Sequence, residues 1–448
     1  MSRALRKQMF SVLNLLEKAN RTLKVNLTAK HVNEEGTQQL LSECQEMAIA
    51  MGSELETIYG EGTETVHELE DYCETLYHMT LVLHDPEKRR VMLHTLAGQI
   101  RQARKLLGEQ IPDRQEVVFL PYKASMWDSL ESVWRAAEED EDCDVYVVPI
   151  PYYDRDPDGT FSQYHYEGDE MPDDVPVTHY ENYDIQKRLP DKVFIHNPYD
   201  QYNYVTSVDP RFYSIELKKC TETLVYIPYF VLGEVGPEDE KGVEGMAHFC
   251  TAPGVLNADK VIVQSENMRQ VYIKVLTKAC GEQTRKHWEK TILGTGSPKF
   301  EKVQSTKKEG LRIPEEWLEM IRKPDGKWKK IILYNTSVSA LLEHQEKMLE
   351  KMKFVFQVFQ ENREEIALLW RPHPLIGATI RSMRPQLWTE YQRLVRKYQA
   401  EGWGIYDASP ELNRAIALCD AYYGDWSSLV QLCQKAGKPI MIQDVEIL

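Results

Sequence analysis

The spacing of apolar residues changes once along this chain, near Glu116, and that change bounds every fold open to it. Before it, apolar side chains recur at helical intervals: Met9, Leu13 and Leu16, then Leu40, Leu41, Cys44, Met47, Ala48 and Met51, and again over 66–83 and 90–107. Gly60 and Gly62, then Asp85 and Pro86, punctuate the pattern, and Pro112 closes it. Three or four antiparallel helices are expected over residues 1–112. No motif with chemical meaning falls there, so this module is read as a docking or oligomerisation arm.

After Glu116 short apolar runs alternate with helical stretches, the pattern of a parallel sheet with crossover connections. Strands are expected at 117–120, 145–150, 192–196, 224–230 and 260–264. A second block follows the basic, proline-marked linker at 322–330. Its strands are expected at 331–334, 366–370, 404–406, 421–423 and 439–442, with helices at 339–359, 384–401 and 410–418. The stretches 151–180 and 197–213, rich in Tyr, Pro and Asp, are expected as long loops. The organisation read from this is α/β: a first Rossmann-like lobe over 113–325, a second over 326–448, and a ligand cleft at the carboxyl ends of their strands.

At 448 residues the chain exceeds one ordinary core, which agrees with several domains. Its 70 acidic against 54 basic side chains argue against broad nucleic-acid binding, which needs a basic surface to replace phosphate counterions. The eight cysteines are scattered without C-x-x-C or zinc spacing and read as reduced, buried thiols. Asn14, Glu17 and Lys18 interrupt the first apolar stretch, so no signal peptide is expected, and no run reaches the roughly 20 residues of a membrane span. A cytoplasmic protein is expected. Peripheral contact with a membrane through Arg3, Arg6 and Lys7 stays open beside the plain reading of a solvated helix face.

Four constellations stand at expected strand ends. Arg371 and His373 leave the strand at 366–370 between two prolines; a guanidinium fork and an imidazole suit two phosphate oxygens, and a solvated turn fits equally. Asp425, Ser427 and Ser428 follow the strand at 421–423 and open a helix, whose start offers free N–H groups to an anion or needs only an N-cap. Thr336 and Ser337, after Asn335, stand at a similar junction. Gly296 belongs to a permissive loop just before the linker. In the first lobe His196 ends a strand, where a neutral imidazole is either a general base or a structural residue. No carboxylate cluster accompanies these residues, so neither a metal nor another cofactor is expected.

Taken in order, these segments resemble the CDP-glycerol glycerophosphotransferases of teichoic-acid synthesis, which have the two-lobed GT-B fold. The matches are His196, then Gly296-Ser297-Pro298, Tyr334-Asn335-Thr336, His373-Pro374, and Asp420 followed by Asp425-Trp426-Ser427-Ser428. The resemblance covers about residues 116–448. It departs where the family has Trp-His-Gly-Thr and this chain reads Ile195-His196-Asn197-Pro198. The resemblance implies a cytidine-diphosphate-linked donor on the second lobe, held by Arg371, His373, Ser427 and Ser428. It makes His196 the base on an acceptor hydroxyl, with a polyol phosphate or glycan as acceptor. A GT-B glycosyltransferase using a UDP- or GDP-sugar, and a retired nucleotide-binding scaffold, remain as alternatives.

Overall fold

The computed structural model describes residues 2–28, 33–111, 113–156, 158–409 and 411–443. Pro112, used above as punctuation, and Pro410, the first residue of the helix expected at 410–418, lie outside them. Four helices come first: α1 (Arg3–Thr28), α2 (Glu34–Tyr59), α3 (Glu64–Leu81) and α4 (Pro86–Gln110). Leu5, Met9, Leu13, Leu16, Leu23 and Leu27 form the buried stripe of α1 and meet matching stripes on the other three. Starts are set by capping side chains: Asn33 accepts from the Gly36 N–H, Thr63 from Val66, and Asp85 from Glu87 and Lys88 with Pro86 in the first turn. The foot of α1 ties the bundle to the next layer, since the Asp191 carboxylate accepts the Arg3 N–H at 3.0 Å and Ser2 Oγ donates to the Arg188 carbonyl.

Strands then follow as β1 (Gln115–Leu120), β2 (Cys143–Val147), β3 (Tyr152–Arg155), β4 (Phe161–His165), β5 (Lys192–Ile195), β6 (Thr206–Val208), β7 (Thr223–Tyr226), β8 (Lys260–Ile262) and β9 (Ile292–Leu293). The second block supplies β10 (Lys330–Thr336), β11 (Ile366–Pro372), β12 (Ile405–Tyr406), β13 (Ala421–Gly424) and β14 (Ile440–Ile442). The larger sheet runs β2-β1-β5-β7-β8-β9 and the second β12-β11-β10-β13-β14, with every pairing parallel. Each order reverses once, between β1 and β5 and between β10 and β13, and such reversals open a crevice at the strands' carboxyl ends. The chain is α/β, with two Rossmann-type lobes in a GT-B-like layout behind a helical bundle.

The two lobes meet with these carboxyl ends toward each other. Val231, beyond the end of β7, packs in the hydrophobic cluster of the second lobe. Asp128, beyond β1, accepts a hydrogen bond from Asn413 Nδ2, beyond β12, at 3.2 Å.

Three expectations are revised. Within 151–180 and 197–213, β3, β4 and β6 pair antiparallel into a small sheet, held by stacked rings such as Tyr153 on Phe161 and Tyr152 on His165. The helix expected at 384–401 begins only at Trp388, because Arg384 leaves helical geometry ahead of Pro385. The chain also changes lobes before the linker, for Phe300, Val303, Trp317 and Ile321 already belong to the second lobe's core. No helix among the described residues is long and apolar enough to cross a membrane.

Candidate functional site

At the β10/β13 reversal one buried amide organises the surroundings. Asn335 donates from Nδ2 to the Arg371 carbonyl at 3.0 Å, while its Oδ1 accepts from Ser427 Oγ at 3.0 Å and from the Tyr422 hydroxyl at 3.3 Å. Three strand ends are thereby fixed by one side chain. Gly424 allows it: its φ is +136°, and a Cβ there would stand 2.3 Å from the Asn335 carbonyl oxygen. The helix Ser428–Lys435 starts at this point, with Ser427 Oγ accepting the Leu429 N–H as its cap. Capping therefore holds for Ser427. Ser428 is exposed in the first turn, where orphan N–H groups and the helix dipole favour an anion. Trp426, 59% exposed, presents an aromatic surface next to it.

Other residues singled out from the sequence are engaged by the protein itself. The Asp425 carboxylate accepts the Ser337 N–H at 2.7 Å and the Lys351 ammonium at 2.8 Å, and Lys351 also donates to the Gln443 carbonyl. Lys351 is wholly buried, so Asp425 is one half of an internal ion pair rather than a group offered to a ligand. Thr336 is buried and its Oγ1 accepts the Trp370 indole N–H at 3.2 Å. Ser337 caps the long helix Val338–Glu361. The Arg371 fork is likewise occupied, by the Asp407 carboxylate and by the Ser409 carbonyl at 2.7 Å. Its charge is cancelled where the sequence suggested a phosphate clamp.

His373 is different. Nδ1 accepts the Leu375 N–H at 3.1 Å, which leaves Nε2 as the nitrogen able to meet a ligand. Its surface is exposed, yet the protein packed around the ring lowers its pKa and favours the neutral form. Beside it a cavity of about 450 Å³ opens between the ends of β11 and β12, with Trp388, Tyr391 and Tyr406 as aromatic walls and Gln392, Gln399 and Arg396 as polar ones. Arg371 and His373, singled out from the sequence, form one rim of this cavity; its other walls, Trp388, Tyr391, Gln392 and Tyr406, carry no motif and come from a helix face and a strand end further along the chain.

His196 lies at the corresponding reversal of the first lobe but is completely buried. Its Nε2 accepts the Tyr122 N–H at 3.1 Å, so the proton is on Nδ1, which lies 2.9 Å from Ser129 Oγ; that hydroxyl donates to the Met126 carbonyl. Burial, helped by the nearby Lys299 ammonium, pushes its pKa down to about 3. No ring nitrogen is free to take a proton from an acceptor, which removes the geometry a general base requires. Gly296, at φ +119°, sits past β9 and makes no hydrogen bond to the second-lobe cluster among the described residues. Among the described residues no group of three or more His, Cys, Asp or Glu is placed to hold a metal ion.

No protein-family model matches the chain, and no curated protein matches it. Solved structures with a similar course include a UDP-N-acetylglucosamine 2-epimerase, at 12% identity and TM-score 0.42, over 75% of this chain and 81% of that one. S. aureus MnaA with UDP is similar at 10% identity and TM-score 0.43, over 73% and 78%. The catalytic domain of starch synthase IV from Arabidopsis thaliana, bound to ADP and acarbose, is similar at 10% identity and TM-score 0.34, over 74% and 83%.

Proposed function

We propose that the chain is a transferase that takes a group from a nucleoside-diphosphate-linked donor held on its second lobe. The observation that carries this reading is a helix start and a cavity at the carboxyl ends of one sheet, linked by Asn335, which bonds Ser427 Oγ on one side and the carbonyl of the cavity residue Arg371 on the other. A helix start with Ser427 and Ser428 suits the diphosphate, and the aromatic and amide-lined cavity beside His373 suits the nucleoside. His373 Nε2–H would stabilise negative charge on the departing nucleotide. Arg371, Asp425, Thr336 and Ser337 shape the crevice through their internal bonds.

A nucleotide sugar, attacked at its anomeric carbon, is the donor we put first. The glycerophosphotransferase resemblance makes His196 the base, and that ring has no nitrogen free. CDP-glycerol, attacked at phosphorus with a polyol phosphate as acceptor, is the second reading, favoured by the order of the second-lobe motifs. Neither reading calls on a divalent ion, so turnover should survive a chelator. Peripheral attachment to a membrane is compatible with both.

The test is a thermal-shift panel of UDP-, GDP- and CDP-linked compounds against the wild type, His373→Ala and Ser428→Ala. A ligand at about 100 times its Kd stabilises by about 2.7 kcal/mol, enough to be read. Stabilisation by uridine or guanosine diphosphates, reduced in both variants, supports the sugar transferase. A response confined to cytidine nucleotides supports the glycerophosphate donor. A flat panel sinks both and leaves a retired scaffold.

A further inference from the structure

The helical bundle is electrically divided. α1 and α4 together carry twelve lysines and arginines against three acidic residues, whereas α2 and α3 carry eleven acidic residues and no lysine or arginine. Contacts run α1 to α2, α2 to α3, α3 to α4 and α4 back to α1, so the basic pair and the acidic pair form opposite faces. The basic face is also concave. Toward the end remote from the sheets, a groove of about 1090 Å³ lies between α1 and α4, bordered by Arg21, Lys24, Arg89, Arg90, His94 and Arg101. Arg21 pairs with Glu17. Lys24, Arg89, Arg90 and Arg101 have no ion-pair partner among the described residues. In a chain of net charge -16 this is a concentrated positive site that the donor crevice does not use.

We propose that this groove binds a linear, non-nucleic phosphate polymer. Four features select that occupant. The unpaired cations, Lys24 on α1 and Arg89, Arg90 and Arg101 on α4, face the groove from both walls and match a chain of repeated negative charges, whose counterions they would release. The α1 wall from Glu17 to Thr28 spans about 17 Å at 1.5 Å per residue, room for several charged units in a row. The hollow shape suits an extended chain better than a flat bilayer. No Phe, Tyr or Trp lines it, so the stacking that single-stranded nucleic acid relies on is absent. A second copy of this chain fits poorly too, because a two-fold dimer places the same face on both copies and would set cations against cations. The site is separate from the donor crevice, and its test does not depend on that reading.

The experiment is fluorescence anisotropy of end-labelled linear polyphosphate against the full chain. It is repeated with the groove variant Lys24→Glu/Arg90→Glu/Arg101→Glu and a control of equal charge change, Lys278→Glu/Lys286→Glu/Lys290→Glu. All six positions are exposed, and circular dichroism confirms that each variant folds. Wild type and control should bind alike, with affinity falling at least about tenfold between about 50 and about 200 mM salt. The groove variant should bind at least about tenfold more weakly at any one salt concentration. Equal losses in both variants, or no wild-type binding, overturn the proposal. So does groove-dependent binding of oligothymidylate as tight as that of polyphosphate, or groove-dependent capture by phosphatidylglycerol vesicles in its place. Groove-dependent self-association in sedimentation would assign the face to a second copy instead.

Discussion

His196 and Lys351 show what a side chain can mean when its partners lie far away in the chain. A histidine closing an apolar strand reads equally as a base or as a structural residue. What decides between them is the Tyr122 N–H and the Ser129 hydroxyl, neither visible from residue 196. The ring's folded pKa of about 3 lies below its ordinary 6.5, so the unfolded chain takes up a proton first as pH falls. The stability this neutral ring allows is full above about pH 6.5 and is lost toward pH 3, amounting to about 2 kcal/mol by pH 5. Urea unfolding from pH 7 to 5 should show that slope, and His196→Asn, weaker at pH 7, should show a flatter one. An unchanged slope would mean that His196 is not held neutral. Lys351 carries the opposite lesson, since a lysine three residues after Met348 and four before Val355 already stands on the apolar stripe of its helix. Lys351→Met should cost about 3–5 kcal/mol by leaving Asp425 buried and unpaired, and adding Asp425→Asn should recover part of it. A single-variant loss below about 1 kcal/mol would show that water reaches the pair.

Elements were legible in proportion to their burial. The parallel strands stood out because sheets covered on both faces need continuous apolar runs, as in Ile331–Leu333 and Ala367–Trp370, all but Ile332 buried. The small sheet escaped notice because β4 is mostly exposed and its rings pair across strands rather than along them. At the β10/β13 crevice the helix start was readable from Asp425 to Ser428, whereas the Asn335 network that positions it was not. Gly424 joins the two levels. An alanine there meets a positive φ and a backbone carbonyl that cannot retreat without parting β13 from β10, so Gly424→Ala should cost about 3 kcal/mol. Gly437, at φ +71° in the milder left-handed region with no atom near its would-be Cβ, shows a backbone cost alone, and Gly437→Ala should cost only about 1 kcal/mol. Chemical denaturation of the two variants gives the comparison, and equal losses would mean that contact with Asn335 contributes nothing.

Across the whole molecule, much depends on one first-lobe carboxylate. Asp128 is buried beyond β1 and is bonded to the ammonium of Lys299 and the amide of Asn413. Lys299 lies in the first turn of the helix Pro298–Ser305, whose Phe300 and Val303 sit in the second lobe's core. Glu131 adds a more exposed pairing to Lys302 of the same helix. Asp128 is therefore held from the second-lobe side by two separate elements. Asp128→Asn keeps the shape but leaves the buried Lys299 ammonium facing a neutral group, a loss of about 2–3 kcal/mol concentrated where the lobes meet. Because that loss falls between lobes rather than inside either core, the variant should open before it unfolds. Solution scattering should report a larger radius of gyration while circular dichroism stays unchanged. Ligand binding then tells how much of the donor site belongs to one lobe. If the variant is closed only one-tenth of the time, a nucleotide touching the second lobe alone keeps its affinity, while one that needs both lobes weakens about tenfold. An unchanged radius together with an unchanged unfolding midpoint would show that Asp128 does not hold the lobes together.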